Sequence, residues 1–296
     1  MTITVLDTYP AIQEILRAPA TARPGLLRAM LQPVAGMYRY FPGEPDLVAL
    51  HTMGSGFPLD RDEDTCLDAL DAMRAADAWG RIERALEHGL AVQRDATPGI
   101  TVPDITVLLI IGDPGDTHLM GPNLGMTANG SVSGYLYLNI WPYPENLDRL
   151  EATAIHELNH NLRYNTGNVV WDPATVTVGE QIVSEGLADA FARQLYGDDL
   201  GYTRVGVPHL TDDAVFGKVV TGLAVTGMQN FAAWVHGDLT AARFGATPVG
   251  LPTGAGYAVG NRLVDAYLTA TGQTAAQALL VDSKDVIDTA LTATPR

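Results

Sequence analysis

Leu150-Glu151-Ala152-Thr153-Ala154-Ile155-His156-Glu157-Leu158-Asn159-His160-Asn161-Leu162-Arg163 has the marks of a helix that is buried and yet carries chemistry. Leu150, Ala154, Ile155, Leu158 and Leu162 recur at threes and fours, the spacing of one apolar helix face. His156 and His160 are four residues apart, one turn along the same face, so both imidazoles can reach a single metal ion. Glu157 stands one residue on, where its carboxylate can reach a water at that ion without ligating it. Charge buried in this way is costly unless a cation and partners compensate. Two hydrogen-bonded histidines without a metal are the plain alternative.

A catalytic zinc ion takes three protein ligands and keeps one position open. The extended pattern HExxHxxGxxH does not supply the third here, because Arg163 and Thr166 stand where Gly and His would be. A carboxylate from a following helix is the other common solution. Ser184-Glu185-Gly186-Leu187-Ala188-Asp189-Ala190-Phe191 provides one. Glu185 can ligate, and Asp189, a turn further on, can accept a hydrogen bond from a ligand histidine and fix its tautomer. Gly186 and Ala188 would allow close helix approach. Glu180 competes with Glu185, from which it is separated by about 140° around the helix. It has Ser184 rather than an acid four residues on, and it lies near the helix start, where a carboxylate simply favours the dipole. Glu185 is preferred.

HELNH followed by SEGLADAFA resembles the gluzincin group of zinc peptidases, whose second motif is Glu-x-x-x-Asp. The resemblance is closer to a bacterial family of predicted zinc-dependent proteases. It rests on a strand at 135–141, the HExxH-Asn-x-Arg helix at 156–163, Glu185-Gly186-Leu187-Ala188 and Tyr257-Ala258-Val259-Gly260, and spans residues 121–280. It implies Zn²⁺ as cofactor, bound by His156, His160 and Glu185, and a peptide or protein as substrate. Glu157 is then the general base that takes a proton from the attacking water. Gluzincins share the developing oxyanion between the metal and a Tyr or His; Tyr257 is the first candidate for that role and His236 the second. Zinc peptidases of this shape also pair the substrate with an edge strand before the catalytic helix. That implies substrate binding by strand addition along residues 134–138, with Gly134, Tyr135 and Tyr137 as the wall; an ordinary internal strand is the other reading. A non-catalytic zinc-binding or regulatory protein is the alternative function, and the presence of Glu157 argues against it.

The rest of the chain sets the frame. Of 296 residues, 47% are apolar and 18% charged, enough for a sizeable core. With 18 basic against 34 acidic residues the net charge is −16, which opposes nucleic-acid binding and docking on anionic lipid. A single cysteine, Cys66, excludes a disulfide framework and is read as inert on the apolar side of a helix. The start lacks a secretory pattern and no apolar run nears the roughly 18 residues of a membrane span, so the expected location is cytoplasmic. A short strand is predicted at 3–7, helices at 10–17 and 26–40, and a Pro- and Gly-rich passage at 41–59. An amphipathic helix at 62–91, broken near Gly80, then leads to a strand at 105–111, a polar loop at 121–134, and helix almost to the end. The expected fold is α+β and zincin-like, a small mixed sheet in the N-terminal half packed on a mostly helical C-terminal half. Regions 1–144 and 145–296 are expected to form one composite unit. His51, His88, His118 and His209 are read as surface or satisfied core histidines; Arg163 and Tyr164 could line the cleft, with helix-surface roles preferred.

Overall fold

Seven consecutive apolar or β-branched residues at 105–111 form the inner strand of a four-stranded sheet. The computed structural model describes residues 2–41 and 43–293; Met1, Pro42 and 294–296 lie outside the described residues. Strands β1 (Ile3–Val5), β2 (Ile105–Ile111), β3 (Met126–Asn129) and β4 (Tyr135–Ile140) stand in the order β1-β2-β4-β3. The first three in that order run parallel, and β3 is antiparallel to β4. Burial is nearly continuous along β2, as expected of a parallel strand covered on both faces. The protein is therefore α+β with a small mixed sheet, as the sequence predicts.

The sheet order corrects one expectation. β4 is an internal strand: Thr106–Ile111 pair with it on one side and β3 on the other, from Met126 opposite Ile140 to Asn129 opposite Tyr137. The edge strands are β1 and β3, and β3 forms inside the stretch read as a polar loop. Gly134 is also engaged, since its carbonyl accepts from Thr106 N at 2.9 Å.

The chain falls into two compact units, Met1–His88 with Val102–Glu157, and Gly89–Thr101 with Leu158–Arg296. The first holds the sheet with α1 (Thr8–Arg17), α2 (Arg23–Leu31), α3 (Leu47–Met53), α4 (Glu63–Ala75) and the start of α5 (Ala78–Ala96). It also holds α6 (Thr117–Met120), α7 (Pro144–Leu147) and the first half of α8 (Leu150–Arg163). α1 and α4 pack on β2. The expected break near Gly80 falls a few residues earlier, at Asp77, whose φ of 51° ends one helix and opens the next. Asp tolerates this left-handed region better than most residues.

The second unit contains α9 (Val178–Tyr196), α10 (Asp198–Gly201), α11 (Asp213–Val220), α12 (Asp238–Arg243), α13 (Ala255–Thr271) and α14 (Ser283–Ala293). Every residue of α9 from Val178 to Ala192 is buried, so it is the central helix rather than an amphipathic surface one. Thr177 caps its start by accepting from Glu180 N at 2.9 Å. α13 and α14 pack against it, and Ile182, Val219, Val235, Val259 and Leu263 share one apolar cluster around it. Where α9 and α13 cross, Gly186 meets Gly260: a Cβ on Gly186 would lie 2.2 Å from the Gly260 carbonyl oxygen. Among the described residues no helix is long and apolar enough to cross a membrane.

Candidate metal centre

α8 presents His156 and His160 from successive turns, 7% and 4% exposed, and α9 brings Glu185, 6% exposed, to the same place. One ligand atom from each of the three lies within 4.8 Å of the others. His160 Nε2 stands 3.3 Å from Glu185 Oε2. Tetrahedral zinc with ligand bonds near 2.1 Å separates its ligand atoms by about 3.4 Å, so this pair already has the spacing the ion requires. Two imidazoles and one carboxylate are also a donor set that zinc accepts, with one position left for water or substrate. Among the described residues, this is the one cluster of three or more His, Cys, Asp or Glu side chains able to share an ion.

Glu157 shares the buried stretch of α8 at 6% exposure. The segment after β3 runs directly over its backbone: a Cβ on Gly130 would lie 2.1 Å from the Glu157 carbonyl oxygen. Glycine is required there because the two backbones touch.

The second nitrogen of His160 is also engaged, with Nδ1 2.9 Å from Ser184 Oγ. The Tyr164 ring lies almost parallel to the imidazole, 3° between planes and 6.5 Å between centroids. Its hydroxyl donates to Glu180 Oε1 at 2.9 Å. Burial and the Glu180 charge push the Tyr164 phenol well above its ordinary range, so it stays protonated and able to donate. Arg163 holds Glu180 with two hydrogen bonds, Nε at 2.8 Å and Nη2 at 2.9 Å. It also donates from Nη1 to the carbonyls of Leu279 and Val281, at 2.6 and 3.0 Å. Arg163 has no exposed surface at all. Its expected place on the helix surface is thus corrected, and so is that of Tyr164: both turn inward to Glu180. Of the two glutamates, Glu180 pairs with Arg163 and Tyr164, while Glu185 lies against His160.

Asp189 is fully buried and accepts from Thr203 N at 3.0 Å, Thr203 Oγ1 at 2.8 Å and Asn261 Nδ2 at 2.7 Å. The Glu185–Asp189 motif therefore meets the Tyr257–Gly260 motif at the glycine contact, and Asn261, just beyond it, links Asp189 to the Tyr257 carbonyl. Tyr257 and His236, the two oxyanion candidates, are neighbours, with the Tyr257 hydroxyl 3.5 Å from His236 Nδ1. Tyr135 and Tyr137 lean elsewhere: the Tyr137 hydroxyl points to the Gly54 carbonyl at 3.4 Å, and the Tyr135 hydroxyl lies where a Cβ on Gly36 would be, 2.3 Å away. His51 is a satisfied core histidine, as expected, donating from Nε2 to the Phe57 carbonyl at 2.9 Å. Burial pulls it down to about 4 and pushes the Cys66 thiol up to about 12, in keeping with an inert cysteine.

Ser184 and the Arg163–Glu180 pair are the parts of the site that sequence reasoning missed. A signal for Arg163 existed. It lies three residues after His160, on the face already assigned to the interior, and a buried guanidinium demands a carboxylate partner.

Two imidazoles from one helix and a carboxylate from the next, all buried, define a site of the kind that holds a divalent cation. The chain belongs to the family described as "Predicted Zn-dependent protease (DUF2268)", whose model matches residues 86–288. A Bacillus subtilis protein described as "Uncharacterized protein YjfC" is 28% identical over 228 residues, which cover 77% of this chain and 75% of that protein. No solved structure matches the chain.

Proposed function

We propose that this protein is a zinc-dependent peptidase of zincin-like, gluzincin-type design, with His156, His160 and Glu185 as ligands. The observation that carries this reading is the buried trio of donor atoms within 4.8 Å of one another. Zinc held by these residues would supply a Lewis acid able to lower the pKa of a water toward neutrality. Glu157 would be the general base toward the attacking water and would return the proton to the leaving nitrogen. Tyr257 or its neighbour His236 donates to the oxyanion, a contribution of about 3 kcal/mol in the transition state. Asp189 stiffens the ligand-bearing helix through Thr203 and Asn261. If an extended substrate adds to the sheet, the edge strand nearest Glu157 in sequence is β3, followed at once by Gly130, which lies against the Glu157 backbone. A net charge of −16 supports a peptide or protein substrate over nucleic acid, and a cytoplasmic setting goes with this reading.

The test is a peptide-library digest with zinc-loaded protein beside Glu157→Gln. Hydrolysis should fall by about 10²–10⁴-fold in the variant, with zinc still bound at one ion per chain. Unchanged turnover would reject the mechanism. Bound zinc without hydrolysis in either protein would favour a non-catalytic zinc-binding or regulatory protein.

A further inference from the structure

We propose, resting on the metal centre above, that Ser184 and Tyr164 are positioning residues for His160. Ser184 accepts the Nδ1 proton and so turns the Nε2 lone pair toward the cation, while Tyr164 fixes the plane of the ring.

A histidine ligand must be neutral, with its proton on the nitrogen that faces away from the metal. In His160 the nitrogen facing the other ligand is Nε2, 3.3 Å from Glu185 Oε2, and the nitrogen facing away is Nδ1, 2.9 Å from Ser184 Oγ. Ser184 is 1% exposed, so bulk water does not compete for that proton. The imidazole therefore bridges two successive side chains of α9, one at each ring nitrogen. The same helix that supplies a ligand supplies the group that orients its neighbour. This is the kind of role the sequence reading gave to Asp189, whose carboxylate also accepts from Thr203 and Asn261.

Tyr164 is four residues after His160 and so lies over it on the same helix face. Its ring is within 3° of parallel to the imidazole, and a freely rotating phenol would not hold that pose. The hydroxyl is tethered to Glu180 Oε1, and Glu180 is in turn locked by both guanidinium contacts of Arg163. Glu180 and Ser184 are four residues apart on α9, so one face of that helix supports His160 while Glu185, one step around, meets its metal-facing nitrogen.

The experiment measures zinc affinity by chelator competition in wild type, Ser184→Ala and Ser184→Thr. A ¹⁵N-histidine spectrum of the zinc-loaded wild type accompanies it. Ser184→Ala should bind zinc about 10- to 100-fold more weakly, Ser184→Thr should recover most of the loss, and the zinc-free melting temperature should hardly move. The spectrum should show a slowly exchanging proton on His160 Nδ1. Tyr164→Leu should weaken zinc binding more than Tyr164→Phe, which keeps the stacked ring. Affinity in Ser184→Ala within threefold of wild type, or a His160 proton on Nε2 in the zinc-loaded protein, overturns the proposal. If Ser184→Ala does not fold, the wild-type spectrum decides alone. A wild type that binds no zinc is a different result, and it rejects the metal centre itself.

Discussion

Arg163 is a residue at which a small change has a large structural consequence. Its guanidinium has no exposed surface, and the Glu180 carboxylate is its counter-charge. A buried ion pair is not strongly stabilising overall, because desolvation offsets most of the attraction, but removing one partner strands the other. Arg163→Ala or Glu180→Ala should each cost about 3–5 kcal/mol, read as a lower denaturant midpoint in the zinc-free protein. Replacing both together, Arg163→Met with Glu180→Leu, should recover most of that loss; if the double variant is no better than the singles, the pair is not the source. Glu185→Ala should do the opposite: zinc affinity falls sharply and zinc-free stability changes little. The His156–His160–Glu185 cluster was legible because i, i+4 spacing and a following Glu-x-x-x-Asp are local patterns. Arg163 was not, because Arg is usually exposed and burial is decided by what packs over the helix.

At the scale of elements, the crossing of α9 and α13 explains why two motifs separated by some seventy residues belong together. Gly186 and Gly260 let the backbones touch, with a Cβ on Gly260 only 2.3 Å from the Ile182 carbonyl oxygen. Both obstacles are backbone atoms, which cannot rotate away. Gly186→Ala must therefore push α13 outward and should cost about 3 kcal/mol by overpacking, visible as a lower melting temperature together with weaker zinc binding as Glu185 shifts. A melting temperature equal to wild type would mean that the helices are not in contact there. The close approach at Gly186 was readable from its place beside Glu185, whereas its partner was not. Strand order was also beyond reach. β3 is Met126-Thr127-Ala128-Asn129, too short and polar to alternate clearly, and it becomes a strand only by pairing with β4. The edge role went by resemblance to the strand just before the catalytic helix, although a strong strand pattern marks inner strands as readily as edges.

For the molecule as a whole, two opposing effects govern its response to acid. A net charge of −16 at pH 7 means that protonating carboxylates first relieves self-repulsion, an effect that salt screens over about 8–10 Å. His51 acts the other way. Buried beneath Phe57 and donating to its carbonyl, it stays neutral when folded down to a pH of about 4, whereas in the unfolded chain it gains a proton below about 6.5. Between those values the unfolded state binds the extra proton, so stability falls as pH falls, by up to about 3 kcal/mol at pH 4, and is untouched above pH 6.5. Carboxylates contribute equally to wild type and to His51→Gln, so the difference between the two isolates the histidine. Denaturation of the zinc-free proteins at fixed salt should show the advantage of wild type shrinking steadily from pH 6.5 to 4. A difference that stays flat over that range would mean that His51 takes up its proton in the folded state, and hence that the turn carrying Gly56 and Phe57 opens far more readily than its packing implies.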